Sequence, residues 1–350
     1  MSSKLTRVVV GAFVVAVALG FTHAWLNLGF DPLRAVGLKK QVVEEEKFKV
    51  GFLPVTCHLT CPVSDWIRKN MQGRGLFEPV RFSGWPELKE AHISGQTPAT
   101  FILAPMAMAL RQQGIKSKIV FLGHRDGSAL MVRKDSDIHD FKDLRGKRVA
   151  VPNRFSNQFL IIYKALKDRG MSIDDLQIVE MPPPDMPAAL YAKAVDAIIS
   201  GEPFMAQTEL DGYGRVLYQA KELWPNFISC VLAVNDDFMK KNPQKVQDLV
   251  TGIAKSGLWL ESGMNHRMEA ATVVATQYYN QNPRLLRFVL SKPPDRVTYG
   301  NLRLARGEFD HIMSLALEAG ILKQPIAFEE YADTRFSENT TGAGPYPWKG

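Results

Sequence analysis

The stretch Ala194-Val195-Asp196-Ala197-Ile198-Ile199-Ser200-Gly201-Glu202-Pro203-Phe204 decides how this 350-residue chain is read. A short apolar run has the length and composition of a buried strand. Gly201 and Pro203 then fix the backbone around one carboxylate, Glu202. In open α/β folds, ligands collect in the crevice at the carboxyl ends of strands. Glu202 is therefore a candidate ligand contact, and Phe204 a candidate wall. The plain alternative is a strand-to-helix turn with a solvated Glu.

The pattern extends in both directions. Upstream, strands at Phe48–Val55, Pro79–Ser83, Ala99–Leu103, Ile119–Gly123 and Ala129–Val132 alternate with helices at Val63–Met71 and Trp85–Ser94. Such alternation argues for parallel βαβ units. It restarts near residue 140, with a loop, a turn and a strand running through Leu144–Val151, a helix over Phe155–Arg169 and a strand over Leu176–Met181. After the strand Ile228–Val234 the chain reads as helical, at Asp237–Lys241, Gln244–Glu261, Arg267–Tyr279 and Leu302–Ala319. The expected fold class is α/β, two lobes with a ligand cleft between them. The first lobe takes 48–135 and returns over 229–335, the second takes 136–228, and 336–350 is a tail.

Length, with 46% apolar and 23% charged residues, fits a soluble protein of two domains or one large one. The net charge of +7 is mild, and no basic run interleaves with aromatics, which argues against nucleic acid. Lys4 and Arg7 precede Val8–Phe21, a run without charge. That is the layout of a signal peptide, or of an uncleaved membrane anchor, over residues 1–26. Residues 27–47 read as a tether. Either way the body is expected on the periplasmic, extracytoplasmic side, held to the membrane if the segment is not cleaved.

Several residues resemble, in order, the exported solute-binding component of nitrate, bicarbonate and sulfonate (taurine)-type ABC importers. They are Gly84-Trp85 with Gly95, Ala104-Pro105-Met106, Asp143 to Val151, Phe155-Ser156-Asn157-Gln158, Pro182-Pro183-Pro184-Asp185-Met186, Gly201-Glu202-Pro203-Phe204 and Leu315 to Leu322. The resemblance implies a type II periplasmic-binding-protein fold, a small polar solute captured by lobe closure, permease and ATPase partners, no cofactor and no enzymatic activity. Three features depart from the family. The first turn is Thr56-Cys57-His58-Leu59-Thr60-Cys61. Gln158 stands where nitrate-type members carry His. Leu223-Trp224-Pro225-Asn226 stands in place of their nitrate-contacting Lys.

The candidate ligand contacts are thus Cys57, His58, Trp85, Met106, Ser156, Asn157, Gln158, Glu202 and Phe204. Trp85 is either a core anchor or a stacking wall, and Met106 either packing or wall. Ser156 reads as a helix N-cap whose free N–H groups favour an anion. Gln158 offers both donor and acceptor. A lone Glu202 repels a bare anion unless it holds a cation or a ligand N–H. In the first turn, a Cys57–Cys61 disulfide, packed thiols, and a soft-metal site made by Cys57, His58 and Cys61 all stay open. The remaining histidines, His92 and His124 among them, read as surface or core residues. The competing functions are a tethered ligand sensor on the same fold, an enzyme of the pyrimidine-precursor type using the Cys-His turn, and a metal-binding protein.

Overall fold

The computed structural model describes residues 3–27 and 47–348. The expected tether lies almost wholly outside them. Residues up to Glu46 and from Lys47 onward form two separate compact units. Among the described residues the first holds helix α1 (Ser3–Asn27), whose apolar side chains Val8, Phe13 and Leu19 are more than half exposed. Among the described residues no helix is long and apolar enough to cross a membrane, so the anchor reading gains no support.

The second unit holds two five-stranded sheets. In chain order the first lobe begins with β1 (Lys49–Phe52), α2 (Thr60–Gln72), β2 (Glu78–Arg81), α3 (Trp85–Ile93), β3 (Ala99–Leu103), α4 (Ala104–Gln112) and β4 (Ser117–Leu122). A short β5 (Arg125–Asp126) leads to β6 (Ser128–Arg133), β7 (Arg148–Val151), α5 (Asn157–Lys167), β8 (Gln177–Glu180), α6 (Met186–Tyr191), β9 (Ala197–Gly201), α7 (Phe204–Leu210), β10 (Gly214–Gln219) and α8 (Ala220–Leu223). The chain returns with β11 (Cys230–Asn235), α9 (Asp236–Lys241), α10 (Pro243–Glu261), α11 (Met264–Val274), α12 (Pro283–Ser291), β12 (Val297–Thr298) and α13 (Arg306–Glu318).

The strand orders are β2-β1-β3-β11-β4 and β10-β6-β9-β7-β8. In the first sheet β1 runs parallel to β2 and β3, while the returning β11 is antiparallel between β3 and β4. In the second, β7 runs parallel to β8 and β9, and β6 is antiparallel to β9. Both sheets are largely buried, so their central strands, such as Ala99–Leu103 and Ala197–Gly201, are apolar without alternation.

Two boundaries differ from the sequence reading. β6 joins the second sheet, so the first crossing falls at residues 123–127 rather than near 135. Periodicity identifies a buried strand but not the sheet it enters. The expected tail is packed instead: Phe336 and Tyr346 are buried, and Trp348 lies edge-on to Trp66 at 5.7 Å. Its aromatic residues provide enough apolar area to hold it.

His92 shows how polar groups are kept in the first lobe. Nδ1 lies 3.2 Å from Thr97 O and Nε2 lies 2.7 Å from Ser117 Oγ in full burial. Burial, partly offset by the Thr97 carbonyl, pushes its pKa down from 6.5 to about 4. The folded state therefore refuses a proton that the unfolded state accepts. Stability is unaffected above 6.5 and falls as pH drops from 6.5 toward 4. Urea denaturation is expected to show about 2.5 kcal/mol lost through this group between pH 7.5 and 4.5. His92→Gln is expected to flatten that part of the profile; an unchanged slope overturns the assignment.

Candidate functional site

The candidate residues gather where loops leave the carboxyl ends of parallel strands. Cys57 and His58 form a single 3-10 turn after β1, Trp85 opens α3 after β2, and Met106 sits in the first turn of α4 after β3. Ser156 to Gln158 open α5 after β7, and Glu202 to Phe204 follow β9. All nine are buried, between 0% and 6% exposed. Two backbone-level contacts join the turn after β1 to the end of β9. Thr56 N–H donates to Glu202 O at 2.7 Å, and Gly201 faces Cys57 Sγ.

His58 and Trp85 meet edge-on at 5.8 Å between ring centroids. His58 Nδ1 accepts the Leu53 N–H at 2.7 Å, which places the ring proton on Nε2. Nε2 has no hydrogen-bond partner, and neither does Trp85 Nε1, although both are buried. These two first-lobe donors make no hydrogen bond of normal geometry, with the Cys57 sulfur the nearby polar atom on the His58 side.

The second lobe supplies acceptors. Asn157 Nδ2 donates to Ile228 O, and Gln158 Nε2 donates to Ser128 Oγ at 3.1 Å and Ser229 Oγ at 2.9 Å. These bonds brace α5 against both crossings. They leave Asn157 Oδ1 and Gln158 Oε1 buried and unpartnered. Ser156 is fully occupied: its hydroxyl donates to Asn153 O and accepts the Phe159 N–H at 3.1 Å. It caps the N-terminus of α5. Met106 and Phe204 lie within the apolar core.

Glu202 does hold a cation, but that cation belongs to the protein. Oε1 pairs with Arg296 Nη1 at 2.8 Å, and Oε2 accepts the Ala206 N–H at 2.8 Å. Arg296 Nη2 reaches Glu209 at 3.0 Å. Burial pushes the Glu202 carboxyl up, and the Arg296 charge offsets this only in part. Both oxygens of Glu202 thus already have a partner within the protein.

The Cys57–Cys61 pairing is not made. All three cysteines are free and buried, and Cys57 Sγ lies 2.9 Å from Cys230 Sγ. Burial pushes both of these thiols up. Cys57 is nevertheless held well below the ordinary thiol range by the hydrogen bond with Cys230 and by His58 and His124 beside it, while Cys230 rises well above it. Cys61 is pushed up by burial and by the Asp65 charge. The cysteine and histidine atoms that do group are those of Cys57, His58 and Cys230, within 4.8 Å of one another, so Cys61 drops out of the metal reading. The ring proton on His58 Nε2 disqualifies that nitrogen as a ligand too, because a metal needs its lone pair.

Sequence reasoning placed neither Cys230 nor His124, read as a surface or core residue, at the site, and it overlooked Ser128, Ser229 and Arg296. Three cysteines in one chain made Cys230 a legible partner. Nothing local to the other four marks them, since each acts through contacts made only on folding. His124 lies in the first crossing, with Nε2 3.5 Å from Thr56 Oγ1.

Comparison with known proteins agrees with this architecture. A nitrate/nitrite binding protein from Nostoc sp. is 22% identical over 262 residues, 68% of this chain and 59% of the relative. The taurine-binding periplasmic protein of Escherichia coli is 29% identical over 174 residues, 46% of this chain and 52% of the relative. The chain thus spans only about half to three fifths of these relatives' length. The solved ligand-binding component of an ABC-type import system from Staphylococcus aureus, described with zinc bound, superposes with a TM-score of 0.75 at 23% identity, over 86% of this chain and 99% of that one. The fold is also that of solved periplasmic sulphonate- and nitrate-binding proteins, with TM-scores of 0.66 and 0.74. With a family profile matching residues 41–275, the chain belongs to the NMT1-like family.

Proposed function

We propose that the protein is the extracytoplasmic solute-binding component of an ABC importer, and that it closes its lobes over a small, uncharged polar solute. One observation carries this reading. His58 Nε2–H and Trp85 Nε1–H on the first lobe, and Asn157 Oδ1 and Gln158 Oε1 on the second, are buried polar atoms without partners. Each such atom costs about 1–3 kcal/mol until something satisfies it. A solute with an acceptor at one end and a donor at the other, such as a cyclic amide of the pyrimidine class, would satisfy both sets.

The charge distribution supports an uncharged solute over nitrate or a sulfonate. Arg296, the cation behind Glu202, is already neutralised by Glu202 and Glu209. Residues 1–26 supply the export signal, and the permease and ATPase are the partners. Binding rather than catalysis follows the names of the relatives compared above.

A thermal-shift screen of uracil-class amides, nitrate, bicarbonate and taurine tests the solute class. Stabilisation by the amides alone is expected; stabilisation by an inorganic anion alone overturns it. Trp85→Phe separates the two readings of that residue. Loss of one N–H donor is expected to weaken a binding solute about ten-fold, or about 1.5 kcal/mol, and to leave the apo protein as stable as before. A pure core anchor would show the reverse: a less stable apo protein and an unchanged solute shift.

A further inference from the structure

We propose that Cys57 and Cys230 are a peroxide-reactive dithiol that closes to a disulfide at the lobe junction. Their sulfurs, 2.9 Å apart, stand within van der Waals contact. A disulfide bond of about 2.05 Å requires less than 1 Å of further approach. The two residues are 173 positions apart in sequence, so no local turn brings them together.

The backbone around the pair is fixed from several sides. Gly123 N–H donates to Cys230 O at 2.9 Å, and Gly123 packs against the Cys57 carbonyl. Tyr279 OH donates to Val55 O at 2.8 Å and Tyr299 OH to Thr56 O at 3.1 Å. The contact is thus imposed by the framework and does not depend on one loose rotamer. Ser229 Oγ stands 3.7 Å from Cys230 Sγ. Cys61, by contrast, lies in α2 next to Asp65 and takes no part.

The reaction balances with hydrogen peroxide as oxidant, a molecule small enough for an enclosed site. Cys57 sulfur attacks the O–O bond, its proton goes to the departing oxygen, and water leaves with Cys57 as a sulfenic acid. Cys230 sulfur then attacks Cys57 sulfur and expels the hydroxyl, which takes the Cys230 proton and leaves as a second water. Two thiols are oxidised and one peroxide is reduced. The bond would join the turn after β1 to the first residue of β11, and so bracket both crossings between the lobes.

The test treats the reduced full chain with hydrogen peroxide and maps non-reduced peptides by mass spectrometry. The expected result is a Cys57–Cys230 linked peptide with the loss of two hydrogens, and a Cys61 that still alkylates. Cys61→Ser keeps the link. Cys230→Ser loses it and accumulates Cys57 sulfinic acid at least ten-fold. A Cys57–Cys61 link overturns the proposal. So does wild-type Cys57 sulfinic acid with Cys230 still alkylatable, or a pair left untouched at peroxide levels that oxidise the urea-unfolded chain. The wild-type map decides the matter even if a serine variant fails to fold.

Discussion

Arg296→Met is expected to lower the unfolding free energy by about 3–5 kcal/mol, because it leaves the Glu202 charge buried without its partner. Arg296 is 2% exposed and Glu202 is fully buried, so solvent screens neither. Arg296 also donates from Nε to Lys292 O at 2.9 Å and lies over the Phe288 ring at 5.4 Å. The pH dependence has a definite sign. Glu202's carboxyl already sits above its usual value of 4.5, because burial outweighs the Arg296 attraction. Removing Arg296 raises it further. The folded variant then holds that proton more tightly than the unfolded chain, so its deficit is largest at neutral pH and shrinks as pH falls toward 4.5. Urea denaturation at pH 7.5 and 5 measures both effects. Replacing Glu202 and Arg296 together by apolar residues is expected to recover much of the loss. A deficit below about 1 kcal/mol in the single variant would show that the pair is solvated.

Gly123→Ala is expected to cost about 3 kcal/mol, the upper end for overpacking a core. A Cβ at this position would stand 2.0 Å from Cys57 O, 3.1 Å from Cys57 C and 3.3 Å from Cys230 O. All three are backbone atoms, and they cannot turn aside as a flexible side chain does. The substitution should also push the turn carrying Cys57 off the first crossing. The yield of the Cys57–Cys230 link is therefore expected to fall along with the urea midpoint. Gly307→Ala is the control: it lies in α13, has nothing within 4 Å of the added carbon, and is expected to be neutral or slightly stabilising. Equal costs at the two positions would show that the close packing around Gly123 is not the cause.

Much of the lobe architecture was legible because it rests on local composition. Ala99–Leu103 and Ala197–Gly201 are apolar, short and bounded by turn residues, and both are strands. Helices with clear stops were read to within one or two residues: α3 is followed by Gly95 at φ 78°, and α5 is followed by Gly170 at φ 68°. Other elements were missed for physical reasons. α4 begins directly at the end of β3 with Pro105 in its first turn, so no loop separates two apolar runs of different period. β10, Gly214–Gln219, is a half-buried edge strand that among the described residues pairs only with β6. α12 carried a readable signal, Asn282 capping Arg284 N–H ahead of Pro283, that was passed over.

The sequence by itself determined two α/β lobes, the ends of the strands at which a site would form, and the placement of Cys57, His58, Trp85, Asn157, Gln158 and Glu202 at those ends. These follow from period, turn chemistry and the rule that loops leave parallel strands on one side. Only the tertiary structure decided what each of those groups does. Glu202 faces Arg296, 94 residues away, and Cys57 faces Cys230 rather than the nearer Cys61. Burial fixes which polar atoms are paired within the chain and which are left without a partner. Pairing across such separations is set by how the lobes pack, which local sequence does not encode.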